Sequence, residues 1–202
     1  STLQGVTYPI MTSIKEDRTR LLEVYKQLIS ITMLVSLPML VGFAAVADTA
    51  VLLFLGEEWL PTVPVLIALC LARAMTPISA INMNILNAIG RSDLFLKVDL
   101  SKYPMVIAGF FIGINYGIEG VAWAMFTTTF LSFFVNAYFP GKFFGFGGIA
   151  QLKVAYKYII AAAFMYFSVQ HVYIDTRLWV TLVAKIVLGA FIYLAVVLLL
   201  RD

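Results

Sequence analysis

The sequence predicts an all-α integral membrane protein that crosses a lipid bilayer about six times. Three observations predict it. Of 202 residues, 62% are hydrophobic and only 12% charged, against about 45–50% and about 25% in a soluble domain. That leaves too little polar surface to coat a water-soluble globule of this size. The apolar residues gather into long runs, near the roughly 20 residues a helix needs to cross the hydrocarbon core. The basic residues alternate from loop to loop, as in a multi-pass protein.

Residues 1–26 read as a cytoplasmic amphipathic arm, and residues 27–202 as the transmembrane region. Span one is Gln27–Ala47, the 21 uncharged residues between Lys26 and Asp48, with a kink expected at Pro38. Asp48–Trp59 is a loop whose apolar Val51–Leu55 is too short to cross. Span two is Thr62–Ala88. Pro61 and Pro64 sit at its start, where proline costs little, and Pro77 predicts an internal kink. Span three is Leu94–Ile114 and span four is Ile118–Phe139, closed by Pro140 and Gly141. Phe143–Gly148 reads as a turn, and Ile149–Lys157 as a short helix on the membrane surface. Span five is Tyr158–Val172 and span six is Leu178–Leu200.

Charge tests this layout. Lys15, Arg18, Arg20, Lys26, Arg91, Lys97, Lys102, Lys142, Lys153, Lys157 and Arg201 fall on one side if there are six crossings, which is 11 of the 14 basic residues. The other side has Arg177 beside Asp48, Glu57, Glu58, Glu119 and Asp175. Cytoplasmic loops collect Lys and Arg, so both termini are expected in the cytoplasm. The net charge of +3 is too small to suggest nucleic-acid binding. The single cysteine, Cys70, has no second cysteine to pair with.

Arg73 and Lys185 are left inside predicted spans. Arg73 lies near the middle of span two, where arginine costs from about 2.5 kcal/mol to several times that. At about 100° per residue, Arg73, Thr76, Asn84 and Asn87 fall within an arc of about 80°. Two readings are open: a polar stripe lining a pathway with Arg73 attracting an anion, or an internal salt bridge and helix–helix hydrogen bonds. Lys185 is a further pathway candidate, two turns into span six, against the alternative of snorkelling to the interface. Thr129, Ser132 and Asn136 share one face of span four, which reads as interhelical packing. Gly109 and Gly113 form a small-xxx-small pair for close packing. Asp99 and Lys102 lie at i, i+3, the spacing of an ion pair.

Enzyme chemistry has no support in the motifs. His171 is the only histidine and builds no metal site or relay alone. No Gly-x-x-x-x-Gly-Lys-Ser/Thr run or Gly-x-Ser-x-Gly elbow appears. The chain is expected to be neither an enzyme nor a cofactor-binding protein.

Four blocks carry a family resemblance. The first is Tyr8-Pro9-Ile10-Met11-Thr12-Ser13-Ile14-Lys15-Glu16-Asp17, followed by Arg20-Leu21 and Tyr25. The second is Leu37-Pro38 with Gly42, then Leu53-Phe54-Leu55-Gly56 and Trp59-Leu60. The third runs from Ile85-Leu86-Asn87-Ala88 through Ile89-Gly90-Arg91-Ser92 to Asp93-Leu94-Phe95-Leu96-Lys97. The fourth is Tyr116-Gly117-Ile118-Glu119-Gly120-Val121-Ala122. In this order and spacing the chain resembles the polysaccharide transporter family, the O-antigen and exopolysaccharide flippases of the MATE-like superfamily. The resemblance covers about Tyr8 to Val135.

It implies most of one bundle of a two-bundle flippase, with an N-terminal bundle of the same protein as the missing partner. It also implies the bacterial inner membrane and an anionic substrate, undecaprenyl-pyrophosphate-linked oligosaccharide, alongside membrane lipid and glycan-assembly proteins. Arg73 would then meet the anion. The alternative kept open is a non-transporting scaffold or subunit of a glycan-assembly complex, or a related lipid or drug exporter.

Overall fold

The computed structural model describes residues 11–14, 16–172 and 177–200. The first ten residues of the arm, Lys15, Asp175 and Arg201 enter the readings above but lie outside the described residues. Asp17 caps helix α1, Arg18–Ala45, its carboxylate accepting from the Arg20 N–H at 3.0 Å. The helix therefore starts well before the predicted span and runs unbroken through Pro38. Leu21, Tyr25, Ile29, Met33, Leu37 and Val41 recur every fourth residue along it, and all are buried. That stripe is the spine of the core.

Helix α2, Ala47–Phe54, occupies the expected loop. Gly56, at φ 96°, then turns the chain into a short 3-10 segment, Glu57–Thr62. Span two is built from two helices, α3 (Val63–Ala74) and α4 (Thr76–Ala88). They meet at Met75, just before Pro77, whose missing N–H and fixed ring disfavour a continuous helix.

Helix α5, Ser92–Gly113, and helix α6, Gly117–Phe144, are joined by the 3-10 turn Ile114–Tyr116 and by Gly117 at φ 73°. The two pack side by side. A Cβ on Gly113 would stand 2.8 Å from the Gly120 carbonyl oxygen and 2.9 Å from Val121 Cα. The small pair Gly109/Gly113 thus lets two backbones touch.

Among the described residues, five helical runs are long and apolar enough to cross a membrane, and Ser92–Phe144 is one of them, at 53 residues. Straight, it would extend about 80 Å, against a hydrocarbon core of about 30 Å. Its hairpin fold accounts for the difference between five runs and six expected spans.

Two boundaries depart from expectation. Helix α6 continues past Pro140 and Gly141 to Phe144, and stops only at the left-handed Gly145. The surface helix and span five are one helix, α7, Gly148–Gln170. Lys153 and Lys157, four residues apart, stay on its outer side while Gln151 and Ala155 are fully buried. The lysines therefore reflect one polar face and not a separate surface element. Helix α8, Leu178–Leu199, completes the chain.

Helix α7 packs along α1, with α8 against α7 and α2. Small α7 residues, Ala155, Ala161 and Ala162, permit the close approach. On the other flank α6 bridges α3, α4 and α5.

Candidate functional site

Arg73 sits in the last turn of α3, ten residues after Val63. At 1.5 Å per residue that is about 15 Å along the axis, near the middle of the apolar run Glu57–Ala88. Its side chain is exposed, and among the described residues it has no ion-pair or hydrogen-bond partner. Thr76, at the start of α4, is also exposed. Asn84 is buried and Asn87 half-buried. The expected stripe therefore divides. The division falls inside α4: Thr76 at its start stands open, and Asn84, eight residues and about 80° further round, faces the packed side.

Thr76 opens onto a groove of about 280 Å³ between α4, α5 and α6, with Val106 among its lining. Ser79 lines the α4 wall, Asp99, Lys102 and Tyr103 the α5 wall, and Thr129, Ser132 and Asn136 the α6 wall. Lys102 Nζ lies 2.8 Å from Asp99 Oδ1, the i, i+3 ion pair. Ser79 Oγ and Asn136 Oδ1 are buried without a hydrogen-bond partner among the described residues. The α6 face expected to serve packing is instead a wall of this groove.

Lys185 is buried. Its Nζ donates to Thr49 Oγ1 at 2.9 Å and stands 3.5 Å from Asp48 Oδ2. It ties α8 to α2, and neither Lys185 nor Arg73 lines the groove onto which Thr76 opens.

One cluster has no counterpart in the sequence reading. Tyr25 donates its hydroxyl to Asn82 Oδ1. Asn82 Nδ2 donates to Gln151 Oε1 at 3.0 Å. Gln151 Nε2 donates to Tyr25 Oη at 2.9 Å and to the Phe146 carbonyl at 3.0 Å. The ring joins α1, α4 and α7 with all three side chains fully buried. The only sequence signal was a tyrosine on α1's four-residue apolar stripe.

The same end collects cations on aromatic rings. Arg18 donates to the Phe143 carbonyl and lies 5.5 Å from the Phe144 ring centre. Lys26 stands 5.6 Å from that of Phe146, and Arg91 5.8 Å from that of Phe143. Amphipathic residues of this kind suit a membrane interface. A hydrogen bond from the loop guanidinium of Arg91 to Asp93 raises its pKa further.

Comparison with known proteins agrees with the helical membrane fold. A family model described as polysaccharide biosynthesis protein matches residues 1–64. Teichuronic acid biosynthesis protein TuaB of Bacillus subtilis (strain 168) is 26% identical over 132 residues, which are 65% of this chain and 27% of TuaB. An uncharacterized membrane protein in the cps region of Klebsiella pneumoniae is 30% identical over 118 residues, 58% of this chain and 24% of that one. Lipopolysaccharide biosynthesis protein WzxC of Escherichia coli (strain K12) is 28% identical over 108 residues, 54% of this chain and 22% of WzxC.

Among solved structures, the lipid II flippase MurJ in an inward closed conformation superposes with a TM-score of 0.66 at 20% identity. The match covers 96% of this chain and 43% of MurJ. At that identity the likeness is one of fold. The chain spans about a quarter of the length of the curated relatives it matches.

Proposed function

We propose, from the premise that this multi-pass membrane chain is a partial-length relative of the polysaccharide-biosynthesis flippases, that it forms one bundle of a flippase for lipid-linked oligosaccharide in a bacterial inner membrane. Arg73 carries the reading: a cation near mid-bilayer, exposed on the bundle's face and unpaired among the described residues. A charge at that depth costs several kcal/mol unless it meets water or an anion. A pyrophosphate supplies the anion, and the planar guanidinium can bind it through two parallel hydrogen bonds. A second bundle facing Arg73 would close the pathway on alternate sides. MurJ, whose fold the chain shares, is a flippase, which supports transport over catalysis as the action.

The test is loss of the reading frame that encodes the chain. Lipid-linked oligosaccharide should then accumulate in the cytoplasmic leaflet, where a glycosidase added to inverted vesicles can reach it. Unchanged distribution between leaflets would refute the flippase role.

The same reading puts the end bearing Arg18, Lys26 and Arg91 in the cytoplasm, with both termini of the chain. In a Cys70→Ala background, an impermeant maleimide added to spheroplasts should label Glu57→Cys and spare Lys142→Cys. The reverse labelling would invert the topology.

A further inference from the structure

The groove between α4, α5 and α6 is built differently from the rest of the helix surface. Hydroxyls inside apolar helices ordinarily bond back to their own carbonyls. Ser101 does so to Val98 at 2.8 Å, Thr127 to Trp123 at 2.9 Å and Thr128 to Met125 at 3.2 Å. The groove residues Thr76, Ser79, Thr129 and Ser132 make no such bond among the described residues. Asn136 is only 3% exposed, and its Oδ1 has no partner among the described residues. Buried polar atoms without partners are rare and call for a specific explanation. Here two of them, on Ser79 and Asn136, belong to residues that line one space.

The charges on the walls narrow the ligand. Asp99 and Lys102 already neutralise each other at 2.8 Å. A bare cation would face the Lys102 ammonium, and a bare anion the Asp99 carboxylate. A neutral molecule with several hydroxyls meets neither penalty. It can donate to Asn136 Oδ1 and Asp99, and can both donate to and accept from the Ser and Thr hydroxyls. Tyr103, 55% exposed, offers a ring face at the rim. The volume of about 280 Å³ is at the small end of ligand sites, about 300 Å³ and upward, which suits one ring and not a chain of them.

We propose that this groove binds a single neutral sugar ring, one unit of the glycan whose lipid-linked anion Arg73 meets three residues earlier in the chain. The proposal rests on the flippase reading for its biological setting, and its chemistry stands on the groove.

The test uses the full-length protein in nanodiscs and saturation-transfer NMR with methyl α-glucoside, methyl α-galactoside and N-acetylglucosamine. At least one of these sugars should receive saturation. The combined Ser79→Ala, Asn136→Leu variant should weaken its binding about tenfold or more, since each neutral hydrogen bond is worth a few-fold. Thr129→Val is the milder variant if the first fails to insert, and should weaken binding about threefold.

No signal from any of the three sugars, or an undiminished signal in the groove variants, would overturn the proposal. So would sodium-23 line broadening that the same variants abolish while no sugar binds. Sugar binding together with normal export in the deletion strain would keep the groove and remove the flippase role. Blocked export without sugar binding would do the reverse.

Discussion

Tyr193 donates its hydroxyl to the Leu34 carbonyl at 3.1 Å, and Leu34 lies four residues before Pro38. Proline has no N–H, so it leaves the carbonyl at i−4 without its helical donor. In hydrocarbon no water can take that place. Tyr193, on α8 and 2% exposed, supplies the donor from another helix. This is how α1 runs through Pro38 unbroken.

The pairing predicts a non-additive cycle. Tyr193→Phe should cost about 1–3 kcal/mol by stranding the Leu34 carbonyl. In a Pro38→Ala background the helix regains its own donor, and Tyr193→Phe should then cost less than about 0.5 kcal/mol. Unfolding of the purified variants measures both. Equal costs in the two backgrounds would show that the bond does not answer to Pro38.

Gly113 tests the hairpin. The atoms nearest an added Cβ there are backbone, at 2.8 and 2.9 Å, so no side chain can swing away. Gly113→Ala should separate α5 from α6 and cost about 2 kcal/mol or more, the range for overpacking. Gly42→Ala is the control, because its Cβ would meet only the flexible end of Met165 at 3.5 Å. Similar melting temperatures for the two variants would contradict the close backbone contact.

Lys185 separates structure from pathway. Its ammonium is held by Thr49 and Asp48, so Lys185→Met should lower stability by about 1.5–3 kcal/mol, the worth of a charged hydrogen bond. Export per inserted molecule should stay near normal. Wild-type stability with failed export would return Lys185 to the pathway.

These particulars show which features the sequence exposed and which it hid. The long apolar runs were legible because a bilayer demands both length and internally bonded helices. The Gly109/Gly113 pair was legible because small residues at that spacing have few other uses in an apolar helix. What stayed hidden depends on which helices touch. Asp48 and Lys185 are 137 residues apart, and no local pattern pairs them. Gln151 reads as part of a surface helix until Tyr25 and Asn82 are seen beside it.

The candidate stripe was half legible. Arg73 and Thr76 lie on the open face, but Asn84, about 80° round α4 from Thr76, lies on the packed side. Thr129, Ser132 and Asn136 were visible as one polar face. Their lack of partners is a property of the assembled groove alone.

The central claim is that the unpaired mid-bilayer charge of Arg73 contacts the anionic part of a lipid-linked glycan. The most direct measurement is export of that glycan by full-length Arg73→Ala and Arg73→Lys proteins, normalised to inserted protein. Arg73→Ala should lose about tenfold or more, as expected for one charge-assisted hydrogen-bonding group, and Arg73→Lys should retain part of the activity through its remaining charge. Normal export by Arg73→Ala at normal abundance would contradict the account.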